Sequence, residues 1–464
     1  MTERSRFVEG KRGFPPGPRG YPIIGVLPYI RRDQRLSFLT RTAATYGGLA
    51  SFTLGRERVF LVSKPELVRE VLHSPIFVKD ERYKVMSLIF GDSIVTSEGE
   101  LWRRHRRTLQ PSYSETHLRL HAGVMLEETR ALCESWKEIA DGPGEVELGP
   151  PLQCLAYRIA PRVGFSVDVG PNELETIVRS ANAVSTFMSQ IAWSMVRVPH
   201  WAPTRENRKM RAAKAVIRRL IQDIYDARVA SGRRPADLLS LLIDARDTET
   251  GTPFSRSECC DEMMAYLVNG HGATGAAITA TFALIAQNPE VRRRIEREVD
   301  LVTGFGEVEP EHLPKLSYLR RVFLEGIRLY PPVWIWSRSP TEDLDLDGYR
   351  IPKGARVLVS AYVTHRQPML WEDPEAFDPA RFEPDREPPS RYAYFPFGGG
   401  RRVCPGENFG MQEALAVIAT VSRRFRLEIA PGSRFDPNPV LTMRGQVTMR
   451  IRSRRETEAR EVAE

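Results

Sequence analysis

The sequence predicts a mainly helical α+β fold with small β-sheets, and three observations lead to this prediction. Residues 257–287 indicate one long central helix, which Asn288-Pro289 ends. Residues 49–54 and 58–62 indicate two paired strands, with Gly55 at the turn between them. Hydrophobic residues make up 42% of the 464 residues, which is enough for a large core.

The domain organisation is predicted from the absence of linkers and repeats in the sequence. Pro and Gly are spread along the sequence, which contains no serine-rich linker, low-complexity segment or internal repeat. We therefore expect one domain over residues 14–452, between a flexible tail at residues 1–13 and a charged tail at residues 453–464. Helices are predicted at residues 36–46, 65–72, 235–245, 319–330 and 407–421, a hairpin at 349–360, and strands at 423–429 and 441–451.

Composition restricts the classes of partner and compartment. The formal net charge is +8, yet no basic strip interleaved with aromatic residues indicates nucleic-acid binding. A basic surface could instead dock an acidic electron donor. The five cysteines show no C-x-x-C and no disulfide-like spacing, and the charged N-terminus lacks an apolar signal core. The longest apolar stretch is shorter than a membrane span, so we expect no transmembrane helix. We also expect a cytoplasmic location and a monomeric state.

Cys404 lies in the most informative stretch of the chain, FGGGRRVCPG at residues 397–406. Pro405 suits the first turn of the helix predicted to follow, and free N–H groups at a helix start favour a thiolate. Such a thiolate could be a nucleophile, a redox thiol or a metal ligand, and a buried structural cysteine is the alternative. Arg402 offers a guanidinium to a carboxylate and Phe397 an aromatic wall, which suits a flat dianionic cofactor such as haem.

This stretch resembles the haem-binding signature of the cytochromes P-450, the haem-thiolate monooxygenases. The signature positions are filled by Phe397, Gly400, Arg402, Cys404 and Gly406. The resemblance covers nearly the whole chain and implies the P-450 fold, with haem b between the long central helix and the Cys-loop helix. It implies that Cys404 binds the iron and that Phe397, Arg402 and Gly406 belong to the cofactor site.

Further motifs carry the resemblance along the chain. Trp102 and Arg106 match a Trp-x-x-x-Arg pair that anchors a haem propionate, and Arg338 is expected to meet a propionate too. The neighbouring arginines at positions 103, 104 and 107 are either solvated surface or a docking face for a reductant. The family's buried Glu-Arg-Arg triad, whose role is structural, is matched by Glu325, Arg328 and Arg381. Segments that form the substrate pocket in the family supply Met86, Ile89, Met188, Asn269, Gly270, Ala273, Val333, Trp334, Trp336 and Leu441.

The central helix departs from the family pattern where the family carries its proton-delivering acid and threonine. This chain has Gly272 and Ala273 at those positions, and Thr274, the candidate catalytic residue, lies about 100° further around the helix. Three explanations stay open. A local bulge could bring Thr274 into the usual place, or water or a substrate hydroxyl could supply the proton. The reaction could also need little proton delivery, as in peroxide-driven oxidation or one-electron coupling.

The resemblance implies a monooxygenase that uses O2 to hydroxylate, epoxidise or couple a bulky apolar small molecule. Terpenoid, polyketide and aromatic secondary metabolism are the expected settings. The sequence shows no flavin or iron–sulfur domain, so we expect electrons from a ferredoxin or flavodoxin-type donor with its reductase. A haem protein without turnover, such as a gas sensor, is the alternative from another class, and the absence of a visible output domain favours the enzyme.

Overall fold

A computed structural model describes residues 13–30, 34–114, 118–142, 144–193, 199–247, 249–386, 390–435 and 447–454. Within these residues the chain forms two compact units. The first draws on Met1–Lys84, Val333–Ala376 and Pro384–Cys404, and the second on Val85–Pro332, Phe377–Glu383 and Pro405–Glu464. Each unit thus combines segments that are distant in sequence. The single domain over residues 14–452 stays a prediction.

Helices account for most of the regular structure. They are α1 (Arg35–Tyr46), α2 (Pro65–His73), α3 (Glu81–Phe90), α4 (Gly99–Leu109), α5 (Ala122–Asp141), α6 (Gly149–Phe165), α7 (Pro171–Trp193), α8 (Arg205–Ser231), α9 (Leu238–Asp244), α10 (Arg256–Gln287), α11 (Pro289–Thr303), α12 (Ser317–Leu329), α13 (Ala361–Thr364) and α14 (Glu407–Arg424). Among the described residues, no helix is long and apolar enough to cross a membrane.

The strands are short and form three small sheets. They are β1 (Leu49–Leu54), β2 (Glu57–Val62), β3 (Phe77–Lys79), β4 (Glu145–Glu147), β5 (Trp336–Pro340), β6 (Leu344–Leu346), β7 (Tyr349–Ile351), β8 (Arg356–Val359), β9 (Phe425–Ile429) and β10 (Thr448–Ser453). The first unit contains the five-stranded sheet β1-β2-β8-β5-β3 and the pair β6-β7, and the second contains β4-β10-β9. Helices with small sheets confirm the predicted α+β class.

The hairpin predicted over residues 349–360 is wrong. β7 pairs with β6 through a tight turn at Asp347 and Gly348, both of which have positive φ. β8 pairs instead with β2 in parallel and with β5 in antiparallel orientation. All four residues of β8 are buried, as expected of a strand in the interior of a sheet, whereas the outer strand of a hairpin would alternate.

The other predicted elements differ mainly at their ends. The helices predicted at residues 36–46, 65–72, 257–287 and 319–330 are confirmed by α1, α2, α10 and α12. The helix predicted at 407–421 extends to Arg424, so β9 begins only at Phe425. The helix predicted from Pro235 begins at Leu238, because the Asp237 side chain accepts from the Ser240 N–H and caps it.

The two predicted tails fall mostly outside the described residues, which exclude 1–12 and 455–464. At the C-terminal end, Ser453 still belongs to β10. The next residue, Arg454, is buried in an ion pair with Asp300. The ordered chain of the second unit therefore reaches at least Arg454.

The central helix α10 organises the second unit. Its start is fixed by a capping box in which Ser255 accepts from the Glu258 N–H and Glu258 accepts from the Ser255 N–H. Pro289 begins α11, so α10 ends at Gln287. Most of its side chains are buried, and α6, α12 and α14 pack against it. A helix that is apolar on nearly all sides requires such enclosure.

Candidate active site

In the first unit, a tight glycine loop presents Cys404. The Cys404 N–H donates to the carbonyl O of Phe397 at 2.9 Å and closes the loop. Gly400 has a φ of 67°, and a Cβ added there would lie 2.2 Å from the carbonyl O of Leu72. Only glycine fits that position without moving the backbone. The sequence pattern therefore has a steric cause in the packing of the loop on α2.

Cys404 differs from the other cysteines in its accessibility. Cys404 is exposed, whereas Cys133 and Cys259 are buried. Burial raises the pKa of the thiols of Cys133 and Cys259 to about 12, so they stay protonated and unreactive. Cys404 stands three residues before the start of α14 at Glu407, where free N–H groups favour a thiolate. An accessible thiol at this place suits a ligand of iron better than a packing role.

A buried cation lies in the same unit. Arg338, in β5, is 4% exposed, and its Nη1 donates to the carbonyl O of Ser337 at 2.9 Å. Among the described residues, the guanidinium donates to this carbonyl and has no carboxylate partner. A buried charge without a counter-ion is costly, so this position suits an anionic group of a ligand. Arg402, in the turn Gly400–Arg402, and Phe397 are partly buried.

In the second unit, Trp102 and Arg106 occupy one face of α4. They are four residues apart, which places them on adjacent turns of the helix. Trp102 is 8% exposed, and Arg106 is partly buried. An indole N–H and a guanidinium on one face can bind one carboxylate together.

The arginines beside this pair form ion pairs within the second unit. Arg104 binds Glu258 at 2.6 Å and lies 4.6 Å from the ring centre of Phe254. Arg107 binds Asp247 at 3.2 Å. Arg103 pairs with Glu100. The Arg104–Glu258 pair joins α4 to the start of α10, and the Arg107–Asp247 pair joins α4 to the loop before α10. Arg104 and Arg107 therefore have a packing function.

The middle of α10 carries an exposed stripe in an otherwise buried helix. Gly270 is exposed, and Tyr266, Asn269 and Ala273 are partly exposed, whereas residues 274 to 285 are buried. These four positions follow the i, i+3, i+4, i+7 spacing of one helix face. A Cβ added at Gly270 would meet no atom within 4 Å. The stripe is therefore an open surface against which a flat ligand can lie.

Thr274 borders this stripe without belonging to it. The helix is regular through this region, and no bulge interrupts α10. The Thr274 Oγ1 donates to the carbonyl O of Gly270 at 3.3 Å, and the residue is 7% exposed. A Cβ added at Gly410, on α14, would lie 3.6 Å from this Oγ1. The hydroxyl therefore lies between the stripe and α14, and the structure has no bulge that would relocate it.

The predicted triad residues lie together in the second unit. The Arg328 Nε donates to the Glu325 Oε2 at 2.6 Å, and the Asp378 N–H donates to the Glu325 Oε1 at 2.9 Å. The Arg381 Nε lies 3.4 Å from the same Oε1. Glu325 and Arg328 are fully buried. Hydrogen bonds from Arg328 and the Asp378 N–H, together with the nearby Arg381 guanidinium, offset the desolvation of the Glu325 carboxylate, which suits a structural function.

The predicted pocket residues fall in both units. In the second, Ile89 is fully buried, and Met86 and Met188 pack on the same apolar cluster, which includes Met263 and Met264 of α10. In the first, Trp334 is buried and Val333 is exposed. The Trp336 ring lies 5.7 Å from that of Phe395. Leu441 lies outside the described residues.

Sequence reasoning missed two clusters of buried polar side chains. His105 of α4 binds Glu262 of α10, whose Oε1 also accepts from the Ile94 N–H at 2.6 Å. Glu413 of α14 is buried, as are the Tyr266 hydroxyl and His271 of α10. The one available signal was a glutamate inside the apolar run of α14, because a charge at a core position always requires an explanation.

The residues present fit a haem group. The first unit offers the accessible Cys404 and the buried Arg338, which has no carboxylate partner in the described part of the chain. The second offers the open stripe of α10. A soft anionic ligand, cations for carboxylates and an open apolar surface are what haem binding needs.

Comparison with known proteins agrees with this chemistry. The family model described as "Cytochrome P450" matches residues 15–452. The chain is 34% identical to "Cyclooctatin synthase" of Streptomyces melanosporofaciens over 92% of each chain. It is 31% identical to "Cyclooctat-9-en-7-ol 5-monooxygenase" of the same organism, over 93% of this chain and 95% of the relative. It is 29% identical to "Pentalenene oxygenase" of Streptomyces avermitilis, over 94% and 96%.

Proposed function

Because the chain belongs to the cytochrome P450 family, and is therefore a haem-thiolate monooxygenase, we propose that it oxidises a terpenoid. The observation that carries this proposal is the 34% identity to a cyclooctatin synthase over 92% of the chain. The named relatives act on cyclooctat-9-en-7-ol and pentalenene. The methionine-rich cluster beside α10 in the second unit supports a bulky apolar substrate, because methionine adapts to irregular apolar shapes.

Motif positions, together with the burial described above, support the assignment of the cofactor residues. Cys404 would bind the iron of haem b, with Phe397 and Gly406 beside it. Arg106, Arg338 and Arg402, with Trp102, would hold the two propionates. Bound haem supplies the iron at which O2 is reduced, and a thiolate ligand favours O–O cleavage. The protein's own contribution is to hold the carboxylates, exclude water and place the substrate.

Enzymes of this family need a redox partner. We propose that the electron donor is a separate ferredoxin or flavodoxin-type protein with its reductase, because the net charge of +8 suits an acidic donor. The predicted monomeric state and cytoplasmic location belong to the same proposal.

Spectral titration tests the substrate class. Pentalenene and cyclooctat-9-en-7-ol are added separately to the haem-loaded protein, with a linear fatty acid as the control compound. We expect at least one of the two terpenoids to shift the iron spin state and then to gain one oxygen atom with a ferredoxin, its reductase and O2. A shift with the fatty acid but with neither terpenoid would overturn the terpenoid proposal.

A matched pair of variants tests whether the terpenoid binds at the open stripe of α10. Gly270→Leu fills the open stripe and should abolish the spin-state shift. Gly123→Leu adds the same side chain at an exposed helical glycine of α5, where a Cβ also meets no atom within 4 Å. That variant should keep the shift, because Gly123 is not one of the proposed pocket positions. Equal shifts in both variants would contradict the assignment of the stripe to the pocket.

A second reaction type has one observation in its favour. Gly272 and Ala273 stand where the family has its acid and threonine, so peroxide-driven oxidation or one-electron coupling remains the alternative. These reactions give different products from the same compound. Coupling yields a dimer or a new ring without added oxygen, peroxide-driven oxidation adds an oxygen atom from the peroxide, and the monooxygenase reaction adds one atom from O2. Mass analysis under isotopically labelled O2 distinguishes them.

A further inference from the structure

A basic groove lies on the surface of the second unit, along the first two-thirds of α8. Its volume of about 540 Å³ is within the range of small-ligand sites. Most of its lining comes from α8, and one further residue comes from the start of α10. The cations of the lining are Arg211, Lys214, Arg218, Arg219 and Arg256, and its carboxylates are Asp223 and Asp226. The groove therefore has an excess of positive charge.

Two other surface cavities of the second unit have no such excess. One, of about 500 Å³, lies between the end of α8 and the segment after α6, and two arginines and three acidic residues line it. The other, of about 560 Å³, lies beside α9, and three arginines and three aspartates line it. The excess of cations is thus a property of the basic groove and not of every cavity on this surface.

Ion pairs neutralise two of the five cations. Arg256 donates to both carboxyl oxygens of Asp226, at 2.8 and 2.6 Å. Arg218 pairs with Asp261, a buried residue of α10. Three cations of the lining remain, and Asp223 is the one remaining carboxylate among the residues that line the groove. Three cations against one carboxylate leave an excess of two positive charges.

The three remaining cations have donors to offer a ligand. The Arg211 Nη1 donates to the carbonyl O of His200 at 2.7 Å, and the Lys214 Nζ donates to the carbonyl O of Leu88. A carbonyl contact holds each side chain in place but neutralises no charge, and it leaves further N–H donors on both groups. Arg219 is exposed and makes no hydrogen bond or ion pair with a described residue. Side chains that are already held in place lose less entropy when a ligand binds.

The spacing of these cations favours a ligand with linked phosphate groups. Arg211 and Arg219 are eight residues apart, which is about 12 Å along α8, and Lys214 lies between them. Ala215 also lines the groove, and its small side chain leaves room between the cations. Guanidinium and ammonium groups bind phosphate oxygens through charge-assisted hydrogen bonds. None of the lining residues is aromatic, so the groove lacks a surface on which the bases of a nucleic-acid strand would stack.

We propose that the basic groove binds an organic diphosphate, which carries at least two negative charges at neutral pH. The phosphate oxygens meet Arg211, Lys214 and Arg219, and the remaining volume of the groove takes the organic group. A prenyl diphosphate and a nucleoside diphosphate share this chemistry. The groove has no lining residue in common with the open stripe of α10. The proposal therefore depends neither on haem binding nor on a terpenoid substrate.

Isothermal titration calorimetry of the haem-loaded protein with inorganic diphosphate tests the site, at an ionic strength of about 0.15 M. We expect saturable binding of one diphosphate per chain, tighter than the binding of sulfate. The double variant Arg211→Gln/Arg219→Gln should weaken binding about tenfold or more, because it removes two charge-assisted contacts. Asp223→Asn should tighten binding, because it removes the carboxylate that repels the ligand.

Arg205→Gln/Lys209→Gln is the matched control variant. It removes two positive charges from the exposed surface of the same helix, but neither residue lines the groove. Its affinity for diphosphate should stay within about threefold of the wild-type value, because salt screens charges that do not contact the ligand. Equal weakening in the two double variants would overturn the proposal, since the attraction would then come from the charge of α8 as a whole. An unchanged haem spectrum in each variant shows that the fold is retained.

Isopentenyl diphosphate and ADP distinguish the two sources of the ligand. Whichever binds more tightly than inorganic diphosphate, and loses this affinity in Arg211→Gln/Arg219→Gln, identifies the organic group as prenyl or nucleoside. If neither binds more tightly, the groove does not recognise an organic diphosphate and the proposal is wrong. It is also wrong if the wild-type protein binds sulfate as tightly as diphosphate. A single-stranded oligonucleotide that binds more tightly than either compound, and depends on the same two arginines, would reject a small-molecule site in favour of a nucleic-acid surface.

Discussion

At the scale of single residues, the buried carboxylates of the second unit are of two kinds. Glu325 bonds to Arg328 and to the Asp378 N–H, and Glu262 to His105 and the Ile94 N–H. Glu413 has no such partner among the described residues. A paired carboxylate can remain charged in the interior, whereas an unpaired one stays protonated and destabilises the fold when it ionises. The ionisation of Glu413 should therefore be measurable as a pH dependence of the free energy of unfolding.

Glu413→Gln is expected to raise the free energy of unfolding at pH 9 and to leave it nearly unchanged at pH 4. Burial raises the pKa of Glu413 from 4.5 to about 8, so between these values the folded protein holds a proton that the unfolded chain releases. Stability therefore falls as the pH rises through this window, by up to a few kcal/mol. Urea denaturation from pH 4 to 9 measures it, with Glu428→Gln in β9 as an exposed control. Identical curves for wild type and Glu413→Gln would contradict the burial of an unpaired acid.

At the scale of elements, local signals predicted the helices well. Ser255, Glu258 and Pro289 fix both ends of α10 through capping and a missing N–H, and these are visible in sequence. The pairing of β8 with β2 was not predictable locally, because it joins segments roughly 300 residues apart. The approach of Glu413 to α10 depends on long-range packing in the same way. Motif residues of the cofactor site were found by their spacing, whereas the polar groups between α10 and α14 belong to no motif.

Two glycines of α10 are predicted to respond oppositely to alanine. Gly270→Ala adds a methyl group in open space, so the better helix propensity of alanine should stabilise the protein by about 0.5–1 kcal/mol. Gly275→Ala places a Cβ 3.2 Å from the Cα of Gln153 and should destabilise it. Denaturant unfolding of both variants tests this pair. Destabilisation by Gly270→Ala would show that the stripe is packed rather than open.

At the scale of the whole molecule, the chain combines a widely shared family fold with its own surface charge. The family model matches residues 15–452, and the three named Streptomyces relatives match over more than nine-tenths of their length. The formal net charge of +8 comes from 67 basic and 59 acidic residues. A positive protein attracts an acidic donor over a range that salt shortens.

Electron transfer from an acidic ferredoxin is therefore predicted to slow as ionic strength rises. Screening shortens the Debye length from about 30 Å at 0.01 M to about 8 Å at 0.15 M. The second-order rate of reduction should fall about tenfold or more over that range. Stopped-flow mixing of the reduced ferredoxin with the haem-loaded protein measures this rate at each salt concentration. A rate that rises with salt would contradict electrostatic attraction.

The identity of the iron ligand is the central claim, and the spectrum of the reduced carbon monoxide complex tests it most directly. The wild-type protein should give the thiolate-type band. Cys404→Ser should abolish this band, whereas Cys154→Ser should keep it, because Cys154 is only partly buried yet belongs to no haem motif. A thiolate-type band that persists unchanged in Cys404→Ser would mean that another residue binds the iron.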